Sequence, residues 1–414
     1  MGRIRGRGDR PTGDRRGEID EDHGGAGDDA AATKPRRLLA GTRALVLTAE
    51  SPRDMLAMQV VYGLRAAGAR VDVLGDGRSG VPRLSRYVSH YARADLPSPD
   101  TPETPEAEDF LERLFQRIAR RSIDVLVPAD MRTVRLVAAL GRRLDFVAAL
   151  PVAPLALLDR LADKDAFARL CDSLGLPHVP TVRIDDFHAA VDGRVARLGA
   201  PFLVKPLGDS GGRGGRELAD ATALADLLAS DAPFSDPPLI AQRRVEGTDC
   251  AVCLAARDGQ PIAAAFQRRA GPGRTAFEHH AEAIALARRL VSATGYSGLM
   301  RVAMRLEADT ERPVILGCEP RPWGSMRAST FAGVNFVALA TLAAIAPDDL
   351  PAVEPRRTTV VSYGRLVADL AARRRGRAGL SRDDLSSAWQ LASDPLPIAW
   401  NLAQALRRPP RARA

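Results

Sequence analysis

With 414 residues, 45% of them hydrophobic, the chain can bury two or three cores at roughly 100–200 residues per domain. No run approaches the ~18 apolar residues of a membrane span, the N-terminus lacks the apolar segment of a secretory signal, and four scattered cysteines make no disulfide framework, so a cytoplasmic protein is expected. The net charge of +8 does not by itself indicate nucleic acid, because the arginines are dispersed and no aromatic residues interleave them.

Of the 59 basic residues only three are lysine, Lys34, Lys164 and Lys205. In a chain so biased toward arginine, a lysine marks a place where a compact, flexible ammonium is wanted and a planar fork does not fit. Lys34 lies in residues 1–38, rich in Gly, Arg and Asp and nearly free of large apolar residues, which read as a disordered tail. Two lysines are left to explain.

From Ala44 the pattern runs strand, helix, strand. Ser51-Pro-Arg-Asp54 reads as a helix start, with Ser as N-cap and Pro in the first turn, and Gly68 closes that helix. A helix over 106–121 leads into the buried strand Asp124-Val-Leu-Val-Pro, and this alternation indicates a parallel sheet. Residues 39–150 therefore read as a small doubly wound α/β domain. It has no GxGxxG fingerprint, so nothing in it points to a dinucleotide.

A helix is expected over 157–174, then strands at Thr181-Val-Arg-Ile and Pro201-Phe-Leu-Val-Lys-Pro. Five of the eight positions from Gly208 to Gly215 are glycine, which lets backbone N–H groups turn toward an anion. Lys205 ends the strand just before this run, giving a phosphate cradle with a fixed charge. It is not a Walker A loop, because the lysine precedes the glycines. A helix over 219–230, a strand pair at 238–242 and 250–256, a long loop around 268–277, a helix over 278–294 and a hairpin of 301–307 with 313–318 follow. Beyond Pro351 short helices and an Arg/Pro tail are expected. Cys250 and Cys253, spaced CxxC in a strand, would face opposite ways as two buried thiols.

Asp163-Lys164, Gly175-Leu-Pro, Phe202-Leu-Val-Lys-Pro, the Gly-rich run, Gln242-Arg-Arg-Val-Glu-Gly and Cys318-Glu-Pro-Arg-Pro-Trp-Gly-Ser occur in one order. That order resembles the ATP-grasp superfamily of carboxylate–amine and carboxylate–thiol ligases over roughly residues 40–340. The resemblance implies an α/β chain: an ATP-grasp fold, two α+β subdomains clasping a nucleotide, at 151–350, preceded by the doubly wound domain and followed by a helical extension at 351–414. It implies ATP and Mg2+ as cofactors. Lys164 and Lys205 would contact phosphates, and Asp209, Ser210, Gly211 and Gly212 would belong to the loop folding over them. Gln242, Arg243, Arg244 and Val245 would form the hinge that reads adenine, Asp249 would hold the ribose, and Arg301 and Arg321 would stabilise the transferred phosphoryl group.

One part of the pattern is broken. The resemblance expects magnesium carboxylates two residues after Arg301 and in a Glu-x-Asn pair of the last strand, where this chain has Ala303, Gly317 and Glu319. Two carboxylates are missing and a third, Glu319, stands in place of the asparagine, where it could hold one ion with the phosphates and water; Glu307 and Glu246 are further candidates. Three readings follow: an ATP-dependent ligase that joins a small carboxylate to an amine or thiol through an acyl phosphate; a nucleotide-binding protein that has lost the chemistry; and, more remotely, a basic nucleic-acid or membrane-surface protein using its tails and the stretch 396–408. The first two imply small-molecule partners, with neither nucleic acid nor membrane. Substrate identity, turnover with altered metal ligands and homodimer formation are not decided by the sequence. Arg268, Arg269 and Arg274 are candidates for closing over the acceptor side. His279 and His280 begin a helix, and Trp323 is expected to pack under the phosphate loop.

Overall fold

The computed structural model describes residues 37–49, 55–76, 80–186, 193–207, 215–230, 237–373 and 382–406. The proposed N-cap at Ser51, most of the tail at 1–38 and the loop residues Asp209, Ser210, Gly211 and Gly212 lie outside them.

Five parallel strands open the fold: β1 (Arg43–Thr48), β2 (Arg70–Gly75), β3 (Val88–Arg93), β4 (Val125–Pro128) and β5 (Ala148–Ala149), in the order β3-β2-β1-β4-β5. The central β1 is buried along five of its six residues, as a strand covered on both faces must be. Helix α1 (Leu56–Ala66) covers one face and α2 (Pro105–Arg121) the other, α2 through Phe110, Leu114 and Ile118 at helical spacing. Helix α3 (Met131–Leu140) begins with a capping box at Asp130, whose carboxylate also accepts the Ala49 N–H at 2.7 Å.

The expected helix over 157–174 is two helices, α4 (Leu155–Ala162) and α5 (Lys164–Ser173). Asp163 leaves the helical region at φ −75°, ψ 119°, and its side chain caps α5 by accepting the Ala166 N–H at 2.7 Å. A carboxylate that can satisfy an orphan amide competes with helix continuation, and the break makes Lys164 the first residue of α5.

A four-stranded antiparallel sheet follows, ordered β6-β9-β7-β8: β6 (Thr181–Ile184), β7 (Phe202–Pro206), β8 (Arg216–Leu218) and β9 (Leu239–Arg243), with α6 (Ala221–Leu228) on its apolar face. The large sheet is also antiparallel, ordered β14-β13-β10-β11-β12-β15. Its strands are β10 (Gly247–Arg257), β11 (Gln260–Arg269), β12 (Arg274–Glu278), β13 (Gly298–Glu307), β14 (Pro313–Glu319) and β15 (Thr358–Val361). Segments 238–242 and 250–256, expected to pair, thus belong to different sheets. The chain changes sheet at Gly247, whose φ of +140° and approach to the Leu306 carbonyl exclude a side chain. The loop expected around 268–277 is the β11–β12 hairpin, and Thr358–Val361, expected among helices, adds an edge strand beside β12. Strand-forming residues were visible there, but a four-residue edge strand exists only because a partner lies alongside.

One face of the large sheet packs on α7 (Ala281–Thr294), α4 and α5; Cys250 lies in that layer and Cys253 in the layer behind, so the two buried thiols do face opposite ways. Helix α8 (Met326–Phe331) and helix α9 (Phe336–Ile345) fill the second layer. From Phe336 to Ala343 every residue of α9 is buried, as expected of a helix lodged between two sheets. Trp323 is fully buried there, its ring 5.3 Å from Phe336, and so belongs to the core joining α1 to the large sheet.

Three helices complete the chain: α10 (Tyr363–Arg373), α11 (Arg382–Ser393) and α12 (Pro395–Leu406). They dock through polar contacts. Buried Asp394 accepts from Ser85 Oγ at 2.7 Å, the Arg86 N–H at 3.0 Å and Tyr62 Oη at 3.2 Å. Buried Arg327 lies 4.1 Å from the Tyr363 ring centroid and donates to the Val361 carbonyl at 3.1 Å. Among the described residues no helix is long and apolar enough to cross a membrane.

Candidate functional site

Lys164 and Lys205 come from different elements and meet. Lys164 Nζ donates to the carbonyls of Pro206 and Leu207 at 2.9 and 3.0 Å, directly after β7 and before the Gly-rich run. Lys205 Nζ donates to Gln242 Oε1 at 2.8 Å, and Gln242 Nε2 in turn donates to Thr181 Oγ1 at 3.0 Å. Register explains the arrangement: Leu203 opposes Gln242 and Lys205 opposes Ile240 across β7 and β9, so Lys205 and Gln242 share the face turned away from α6. Burial, then the charges of Lys164 and Arg305, push the Lys205 pKa down to about 8, with Asp249 pulling it back. The small sheet therefore faces the large one at Lys205.

The four residues expected to form the hinge diverge in surroundings. Gln242 and Val245 are buried, and the Val245 carbonyl accepts from Arg305 at 2.8 Å. Arg244 pairs with Glu217 at 2.9 Å and Glu246 at 2.8 Å, while exposed Arg243 reaches Glu307 only at 4.0 Å. Asp249 is held by Arg305 at 3.1 Å and Arg269 at 3.6 Å. Arg305, overlooked in the sequence, joins Val245 to Asp249; its alternation with Arg301 and Glu307 along β13 was the available signal.

At the end of β13 and β14, Arg301 stands opposite Glu319. Glu319 forms ion pairs with Arg301 at 3.5 Å and with the buried Arg321 at 3.6 Å. Beside it opens a cavity of about 410 Å3, lined by Asp163, Leu207, Pro238, Cys318, Glu319 and Arg321 among others. It thus lies where α5, the small sheet and the large sheet converge.

Of the three arginines expected to close over the acceptor, Arg269 reaches Asp249, whereas Arg268 and Arg274 are engaged elsewhere. Arg268 forks onto Glu278 at 2.9 and 3.0 Å, holding that carboxyl below its usual range, and Arg274 pairs with Asp369 at 2.8 Å. His280 caps α7 and stacks on Phe266 with centroids 5.0 Å apart. Glu246 and Glu307 are tied to Arg244 and Arg243.

Magnesium takes near-octahedral oxygen coordination, usually one or two free carboxylates completed by phosphates and water. Here Ala303 faces Gly317 across the ladder, and neither side chain carries an oxygen. No group of three or more His, Cys, Asp or Glu gathers among the described residues. Both oxygens of Glu319 face a guanidinium group, at 3.5 Å from Arg301 and 3.6 Å from Arg321, and these like charges oppose a cation placed on the same carboxylate. Among the described residues two carboxylates line the cavity; Glu319 is ion-paired with two arginines and Asp163 caps α5, so neither is free to hold magnesium and the residues present fit that ion poorly.

Comparison with known proteins agrees with this architecture. Residues 235–365, less than half of the chain, match the family described as ATP-grasp in the biosynthetic pathway with Ter operon. No curated protein matches the sequence. Among solved structures, an ADP complex of N5-carboxyaminoimidazole ribonucleotide synthetase is similar at TM-score 0.59 and 16% identity, over 81% of this chain and 86% of that one. Carboxyaminoimidazole ribonucleotide synthase from Aspergillus clavatus, complexed with ATP, aligns at 0.58 and 16%, over 77% and 81%. The L-amino acid ligase from Bacillus licheniformis aligns at 0.53 and 16%, over 75% and 78%. Residues 235–365 thus match an ATP-grasp family, and the chain as a whole shares the fold of these synthetases and ligases.

Proposed function

We propose that the chain binds ATP between its four-stranded and six-stranded sheets, with the phosphates toward Lys164 and Lys205 and the base toward the segment from Gln242 to Val245. One observation carries this reading: two of only three lysines converge beside the Gly-rich run, one of them hydrogen-bonded to Gln242. Burying an ammonium so near a second one is costly, and an anion between them offsets that cost. The likeness to structures described as ADP and ATP complexes supports the same ligand. Asp209, Ser210, Gly211 and Gly212 would supply the loop over the phosphates, and Asp249 the ribose contact, exchanging its arginine partners for the sugar. An ATP-binding protein with free thiols suits the cytoplasm.

A thermal-shift titration tests the reading. ATP at a hundredfold excess over Kd stabilises a folded protein by about 2.7 kcal/mol. Lys205→Ala and Lys164→Ala should each lose most of that gain while unfolding at a similar temperature without ligand. Equal shifts in wild type and both variants would overturn the assignment.

A second reading, ligation of a small carboxylate to an amine or thiol, is favoured by the cavity beside Arg321 and Glu319. A carboxylate oxygen would attack the γ-phosphorus and expel ADP; the amine or thiol would then attack the acyl carbon and expel phosphate. Arg301 and Arg321, held in place by Glu319, are the groups available to stabilise charge on the phosphoryl oxygens. ADP release that depends on both a carboxylic acid and a nucleophile tests this reading. ATP binding with no turnover across such a panel leaves a nucleotide-binding protein without ligase chemistry.

A further inference from the structure

The ion pairs around the phosphate end are unevenly matched. Arg269, Arg301, Arg305, Arg321, Lys164 and Lys205 supply positive charge, whereas the carboxylates among them are Glu319 and Asp249, each already shared between two arginines, and Asp163, which accepts the Ala166 N–H at the start of α5. Arg305 Nε is buried and has no hydrogen-bond partner among the described residues, so a donor is left over. Across the β13–β14 ladder Ala303 faces Gly317, and neither brings a carboxylate to this end of the cleft. They add nothing that attracts a dication, and the carboxylate beside them, Glu319, is already neutralised by Arg301 and Arg321.

We infer that this cleft takes its nucleotide as the metal-free polyphosphate, with arginine and lysine side chains in the place of magnesium. The inference rests on the nucleotide reading above. Free ATP carries more negative charge than its magnesium complex, so a cleft with surplus guanidinium groups favours the free form. Arg301 and Arg321 also present planar donor pairs, which match phosphate oxygens as a fork matches a carboxylate.

The site can be converted back, which makes the inference testable. A Cβ added at Gly317 meets nothing within 4 Å, so a longer side chain there has room. Isothermal titration of the full chain with ATP is measured in magnesium and in EDTA. Wild type should bind at least as tightly in EDTA as in magnesium. Ala303→Asp/Gly317→Glu should bind about tenfold or more tightly in magnesium than in EDTA, with Gly317→Glu alone as a milder version and circular dichroism to establish folding. A loss of about tenfold or more in wild type on chelation overturns the inference, as do folded carboxylate variants indifferent to magnesium. Wild type that binds no ATP in either buffer overturns the nucleotide reading itself, and this inference with it.

Discussion

The Lys205 ammonium lies 2.8 Å from Gln242 Oε1, and that contact joins the strand entering the Gly-rich run to the strand leaving toward the hinge. The amide of Gln242 is itself fixed by Thr181, so the lysine is held in one position before any ligand arrives.

The position is reflected in pH dependence. Folding lowers the Lys205 pKa from 10.5 to about 8. Between those values the unfolded chain binds more protons, so stability rises with pH across that window, while below it the full cost of burying the ammonium is present. Urea unfolding from neutral pH upward should show the rise in wild type and lose it in Lys205→Met. ATP affinity should move the other way, falling as pH passes about 8, because the anion needs the charged lysine.

Glu319→Gln separates two roles for the carboxylate. If it serves to hold Arg301 and Arg321, its loss frees both guanidinium groups, and ATP binding measured in EDTA should tighten several-fold. A carboxylate that held a cation for the phosphates would give the opposite sign in magnesium.

Gly247→Ala should be severely destabilising. A Cβ there falls 1.8 Å from the Leu306 carbonyl oxygen at φ +140°, and neither backbone can yield without opening the β10–β13 ladder. A loss of more than ~3 kcal/mol is expected in denaturant unfolding. If residues 242–245 receive the base as proposed, ATP-induced stabilisation should be lost with it, because that segment runs into β10 at this glycine.

Asp394→Ala tests how the C-terminal helices are held. The residue is 1% exposed and accepts from three donors of the first domain. Leaving those donors unpaired should cost about 2–4 kcal/mol in urea unfolding. Asp394→Asn, which keeps two of the acceptor sites, should lose less.

The sequence by itself determined the alternation of strands and helices in the first domain, the hairpin of β13 with β14, and the nucleotide candidates. Apolar periodicity is local, and a residue as rare as lysine in this chain is conspicuous wherever it stands. It could not determine that Asp163 breaks a helix to start α5 at Lys164, since helix continuation and capping differ by a single side-chain hydrogen bond. Nor could it decide that Arg268 and Arg274 are paired at the β12 edge while Arg301 and Arg321 converge on Glu319. An arginine looks the same in any strand, and its partner is chosen by register with residues far away in the chain. Tertiary structure alone decided which charges cancel and which remain for a ligand, because Coulomb interactions depend on distances that only the assembled sheets set.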